Sequence, residues 1–305
     1  MPKVFFALLK IAILGVNHYS ILMEIIRARV LGFCFGVRRA VETAEKAVAE
    51  NAGSSRKIFT LGPLVHNPVV MDSLGKSGVQ VIDGSSFEMI EKNSVVVIRA
   101  HGTTPAVLDA LKEKEAEILD ATCPKVHLSQ KRAKEWSEKG YRVIIAGDKN
   151  HGEVVSISSY AKDKCTVIEN EGEAARIEIP GNTILIAQTT FSPIEFEKIK
   201  KVLLEKNSGL VIFNSICSAT MERQEALAEL DGKSDGIIVI GGKNSANTKR
   251  LYESALSICS KTILIEDAEE IPKEFLKLSR VALTAGASTP DSTIEKVEVF
   301  LKNEK

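Results

Sequence analysis

The sequence lacks most of the marks of specialised protein classes. It has no net charge, with 40 basic against 40 acidic side chains in 305 residues, which argues against a dominant nucleic-acid footprint. It has only five cysteines, an odd number, with no Cys-x-x-Cys pair. A disulfide-built secreted domain and a local zinc knuckle are therefore both poor readings, and reduced thiols in the cytoplasm fit better. There is no flavin or nicotinamide fingerprint, and Gly241-Gly242-Lys243 lacks the spacing of a phosphate loop. The apolar stretch from Val4 to Val16 is too short to span a bilayer, is interrupted by Lys10, and is followed by no small-residue cleavage site. Residues 1–22 are read as an N-terminal appendage ahead of Met23, either an over-extended start or an amphipathic tail. No stable membrane association is expected.

The chain does contain a repeat. Cys34, Cys123 and Cys217 stand 89 and 94 residues apart, each closing an apolar run and opening a helix-like stretch. After each cysteine helix comes a β-branched run ending in glycine: KIFTLG, YRVIIAG and GIIVIGG. Such runs read as buried parallel strands. A polar loop, a helix and a second strand follow. A third strand then ends in a small-polar loop closed by proline: VVVIRAHGTTP, ILIAQTTFSP and VALTAGASTP. Units one and two finish with a fourth strand that runs into the next cysteine. The third has none, and the N-terminal strand at 24–34 would complete it. The fold class expected is α/β: three pseudo-threefold-related αβα units, each with a small parallel sheet. The divisions are 23–122, 123–216 and 217–305.

In open parallel sheets, ligand chemistry gathers at the carboxyl ends of strands. All three cysteines lie there. Four residues beyond Gly62, Gly147 and Gly241 stand His66, His151 and Ser245, each just before a helix; the third-strand loops offer His101, Thr189 and Ser288. Helix N-termini bind anions, phosphate above all, and imidazoles and hydroxyls add donors. Three thiolates on one axis suit an iron–sulfur cluster with one iron left without a protein ligand. Zinc on three thiolates is the alternative metal. Cys165 and Cys259 are read as small buried hydrophobes, and His18 and His127 carry no functional claim.

The motifs GFCFGVRRAV, HNPVV, AHG, DATCPKV, HGE, QTTFS, SICSAT with RQEA after it, KNSAN and TAGASTPD occur in this order. Together they resemble the 4-hydroxy-3-methylbut-2-enyl diphosphate reductases, over the chain from about Met23 onward. The resemblance implies a trefoil around one central [4Fe–4S] cluster held by Cys34, Cys123 and Cys217. It implies an allylic alcohol diphosphate substrate whose hydroxyl binds the fourth iron and leaves as water, giving isopentenyl and dimethylallyl diphosphates. His66, His101, His151, Ser245, Asn247 and Ser288 match residues that hold substrate; Glu153 matches the proton donor and Thr189 its relay. Reducing equivalents would come from a ferredoxin- or flavodoxin-like protein. Where many relatives read Ser-Ser-Asn, this chain reads Ser245-Ala246-Asn247, which is expected to tune affinity. Two other readings remain at this point. A quinolinate-synthase-like enzyme would clamp carboxylates with arginines, and an iron–sulfur sensor would need neither Glu153 nor Thr189.

Overall fold

The computed structural model of the chain describes residues 23–304, so the appendage at 1–22 lies outside the described residues. β1 (Glu24–Arg27) leads into α1 (Phe35–Glu50), β2 (Ile58–Leu61), α2 (Pro68–Lys76), β3 (Val79–Ile82), β4 (Val95–Ile98), α3 (Pro105–Glu113) and β5 (Glu117–Asp120). Next come α4 (Pro124–Glu138), β6 (Arg142–Ala146), α5 (Gly152–Tyr160), β7 (Cys165–Ile168), α6 (Glu171–Arg176), β8 (Thr183–Ala187), α7 (Pro193–Lys206) and β9 (Val211–Phe213). The chain closes with α8 (Ser218–Ala228), β10 (Gly236–Ile240), α9 (Ala246–Ile258), β11 (Thr262–Ile265), β12 (Arg280–Ala285) and α10 (Asp291–Asn303).

The strands form three four-stranded sheets in the orders β3-β2-β4-β5, β7-β6-β8-β9 and β11-β10-β12-β1. Every pairing is parallel. The order is the same in each sheet, with β1 as the fourth strand of the third: Glu24 lies opposite Arg280 and Arg27 opposite Leu283. β1 is shorter than the sequence suggests. It ends at Arg27, and 28–33 is a loop that turns through Gly32, whose φ of +81° favours glycine.

The central strands are apolar on both faces because helices cover both. β4, β6, β8 and β10 are buried along nearly their whole length. Ile144, Leu185 and Phe196 pack on one side of the second sheet, and Val143, Ile145 and Ile157 on the other. Each fully buried Val, Ile or Leu contributes about 1.5–3 kcal/mol, so the sheets form a stiff frame for the loops at their carboxyl ends. Proline opens α2, α3, α4 and α7, where its missing N–H costs nothing. Cys34, Cys123 and Cys217 hold the N-cap positions of α1, α4 and α8 without using their side chains as caps.

Candidate active site

The three cysteines are tied to the frame by one repeated hydrogen bond. The N–H of Cys34 donates to the Ala287 carbonyl (3.0 Å), that of Cys123 to Ala100 (3.0 Å) and that of Cys217 to Thr189 (2.8 Å). Each acceptor sits two residues past the end of the third strand of its sheet. Gly36, in the first turn of α1, backs directly onto the Cys123 thiol: a Cβ there would lie 2.7 Å from Sγ. All three thiols line one cavity. Helix N-termini favour thiolate over thiol. Burial pushes the Cys123 thiol up, and the N–H groups of Lys125 and Val126 pull it partly back. The donor set, three sulfurs at three helix starts with a glycine where any side chain would intrude, fits a group that takes three thiolate ligands.

His66, His101 and His151 lie on the same cavity. Their ring centroids are 5.0 to 6.3 Å apart, and one ring nitrogen of each lies within 4.8 Å of the others. Burial lowers the pKa of all three, with the Arg99 guanidinium adding to the effect: His101 falls well below its ordinary value and His151 to about 4. The imidazoles are therefore neutral, each with one donor and one acceptor nitrogen. His101 Nδ1 and Asn247 Nδ2 are buried without a hydrogen-bond partner. Buried polar groups seldom stay unpaired, and these two line the cavity together with Ser245 and Ser288. Ser245 caps α9 by accepting from the Thr248 N–H, and the Ser288 hydroxyl makes only a long contact with the His66 carbonyl (3.5 Å).

Glu153 stands in the first turn of α5, 1% exposed. Thr189 donates to it twice, from its N–H to Oε1 and from its hydroxyl to Oε2, both at 2.6 Å. Burial raises the carboxyl to about 7, against the pull of those two bonds. A carboxyl at that pKa is partly protonated at neutral pH and can give up a proton.

Every residue singled out from the sequence thus lines the cavity, but the internal symmetry differs from the sequence reading in two places. Register across the sheets puts Ile144 opposite Leu185, Ile145 opposite Ile186 and Ile238 opposite Leu283. Carried forward, Thr189 is in step with Ala100 and Ala287, and Thr190 is the counterpart of His101 and Ser288. The loops between strand and proline differ in length, so distance from the proline does not identify counterpart positions. The helix after His66 is also capped by Asn67 rather than by His66. His127 pairs with Asp120 and Gln130, away from the cavity, and neither Cys165 nor Cys259 lines it.

Sequence reasoning missed Thr190, Arg99 and Arg223. Thr190 lines the cavity and takes a 2.8 Å bond from Gln188 Nε2. The Arg99 guanidinium lies against Gly152, where a Cβ would come within 2.4 Å of it. Arg223 lies in the RQEA segment after Cys217. An arginine two residues before a loop histidine, and one in a helix that starts at a cysteine, were the available signals.

The LytB protein family matches residues 25–302. The 4-hydroxy-3-methylbut-2-enyl diphosphate reductase of Treponema denticola is 49% identical over 284 residues, covering 90% of this chain and 98% of that one. Its counterpart in a Thermoanaerobacter species is 40% identical over 92% of this chain and 99% of the relative. The solved E-1-hydroxy-2-methyl-but-2-enyl-4-diphosphate reductase of Plasmodium falciparum superposes with a TM-score of 0.85 at 28% identity, covering 92% of this chain and 89% of that chain. A solved (E)-4-hydroxy-3-methyl-but-2-enyl diphosphate reductase, titled the terminal enzyme of the non-mevalonate pathway, gives 0.67 at 37% identity, with 92% and 99% covered. The chain belongs to the LytB protein family and is an enzyme of the oxidoreductase class.

Proposed function

We propose that the chain reductively removes the hydroxyl of (E)-4-hydroxy-3-methylbut-2-enyl diphosphate, giving isopentenyl and dimethylallyl diphosphates, in the cytoplasm. The observation that carries the reading is a single cavity that unites three cap-position thiols, two unpartnered buried nitrogens and a protonatable carboxyl. The names of its relatives point the same way.

Cys34, Cys123 and Cys217 would hold one [4Fe–4S] cluster, leaving one iron without a protein ligand. When bound, that group supplies electrons one at a time, received from a ferredoxin- or flavodoxin-like donor, and a Lewis-acidic iron. The protein's own residues do the rest. His66, His101, His151, Ser245, Asn247 and Ser288 clamp the diphosphate; charge-assisted bonds of this kind contribute about 1.5–3 kcal/mol each. The backbone N–H of Ala246 can donate as well. Buried among apolar walls, these donors exclude water and hold the substrate hydroxyl still. Hydroxide is a poor leaving group, so a proton must reach the oxygen as the C–O bond breaks. Protonated Glu153 donates to the Thr189 hydroxyl, which passes a proton on to that oxygen.

Among the described residues no arginine lines the cavity, so a carboxylate clamp of the quinolinate-synthase kind finds no counterpart. A sensor would have no use for the bond between Glu153 and Thr189. The test is anaerobic reconstitution with iron and sulfide, followed by reduced dye, the allylic diphosphate and assay of C5 products. Full cluster content with no turnover would sink the reading.

A further inference from the structure

Arg223 is a buried cation that the chemistry above does not use. Its side chain lies in the first turns of α8, six residues after Cys217, and is 3% exposed. One terminal nitrogen donates to the carbonyl of Ala219 (2.7 Å), two residues past Cys217, and the other to the carbonyl of Gly32 (2.5 Å), two residues before Cys34. The guanidinium thus links the loop before Cys34 to the first turn of the helix that Cys217 opens. Its Nε is buried without a partner. Among the described residues no carboxylate forms an ion pair with it; the exposed Glu222 next to it in sequence favours its charged form less than Cys34 and Cys217 do. Cys34 and Cys217 are the groups whose negative charge would most stabilise its cationic form, which burial disfavours.

A buried guanidinium without a counter-charge costs several kcal/mol. Two neutral carbonyls recover part of that through hydrogen bonds, but they carry no charge. Such a group persists where an anion belongs beside it, and the nearest candidates are the thiolates of Cys34 and Cys217 with whatever they bind.

We propose that Arg223 is the internal counter-charge of the cluster, positioned to stabilise its reduced state. This rests on the reading that the three cysteines hold an iron–sulfur cluster. With three thiolates, the oxidised cubane is a monoanion. One electron from the external donor makes it a dianion, with no bond made or broken and no proton moved. A fixed cation next to two of the three ligands favours the dianion, and net local charge is one of the factors that set such potentials. Arg223 is a positioning residue: it touches neither substrate nor the reacting atoms.

The experiment compares wild-type protein with R223K, R223Q and R223M, all reconstituted anaerobically, by iron content and by potentiometric titration of the cluster. R223Q and R223M are expected to shift the potential negative, with at least a tenfold fall in the reduced-to-oxidised ratio at a fixed donor potential, about 59 mV for one electron. R223K, which keeps the charge but not the fork to both carbonyls, should restore most of it. Equal potentials in wild type and R223Q overturn the proposal. So does loss of the cluster from all three variants, which would make the side chain a structural staple. Wild-type protein that takes up no cluster at all would instead sink the cluster reading.

Discussion

Thr189 holds Glu153 with two atoms at once, its N–H on one carboxyl oxygen and its hydroxyl on the other, each at 2.6 Å. Its carbonyl meanwhile accepts the N–H of Cys217 and the hydroxyl of Thr220. One threonine therefore fixes the acid and the third cysteine relative to each other. Little room for movement is left between the carboxyl and the thiol.

Replacing the acid tests this link most directly. Glu153→Gln keeps the shape and one acceptor but cannot release a proton in the same way. Turnover should drop by about 10²- to 10⁴-fold, while iron content and diphosphate affinity stay at wild-type levels. Wild-type turnover in this variant would take the proton donation away from Glu153.

The raised carboxyl has a defined pH signature. With Glu153 as the proposed proton donor the protonated form is the active one, so turnover at saturating substrate should fall as pH rises through about 7. Stability follows the same sign. The folded-state pKa lies above the unfolded value of 4.5, so the contribution is complete below pH 4.5 and is lost as pH rises toward 7. The loss is on the order of 3 kcal/mol. Urea melts of the metal-free protein across that window, beside E153Q, measure it; equal slopes in both would assign the effect elsewhere.

The hydroxyl of Thr189 can be separated from its N–H. Thr189→Val keeps the backbone bond and loses the relay, and turnover should fall about tenfold or more. The hydroxyl bond to Glu153 lowers that carboxyl's pKa, so its removal should also move the basic limb of the profile upward. Thr189→Ser should retain both. A valine variant with an unmoved profile would show that the relay runs through another group.

Asn247 is expected to divide binding from stability. Its Nδ2 is buried and unpaired, so Asn247→Leu removes an unsatisfied donor and should leave the melting temperature of the metal-free protein unchanged or higher. Affinity for inorganic diphosphate should weaken by about 10- to 100-fold, the worth of one charge-assisted bond. Calorimetric titration reads the second effect and a thermal melt the first.

Gly36 tests the cradle. Its backbone is helical, so alanine suits the conformation, but the added Cβ would sit 2.7 Å from the Cys123 sulfur. Gly36→Ala should keep its far-ultraviolet dichroism and lose most of the iron retained after reconstitution. Full retention would mean that the Cys123 thiol can turn away and still bind.

The sequence determined the frame by itself. Hydrophobic periodicity and glycine stops mark the strands, and the threefold recurrence of strand, loop and helix orders them. Parallel topology then follows, because consecutive strands separated by helices leave no other short connection. The cysteines, histidines, serines and Thr189 were legible because each occupies a strand's carboxyl end or a helix start, positions set by local pattern, whereas the pairing of Glu153 with Thr189 came only from the family resemblance. Other features depend on through-space packing and had no local signal. Register, not loop sequence, pairs Thr190 with His101 and Ser288, since loop lengths vary while hydrogen-bonded strands cannot slip by one residue without turning their faces over. Only the tertiary structure seats Arg99 against Gly152 and runs Arg223 from the loop of Cys34 to the helix of Cys217, residues that stand 189 and 6 positions from it in sequence. Burial then sets the charges: Glu153 is an acid near neutrality and the three imidazoles are neutral because the fold removes them from water, an environment that no residue's own sequence neighbours specify.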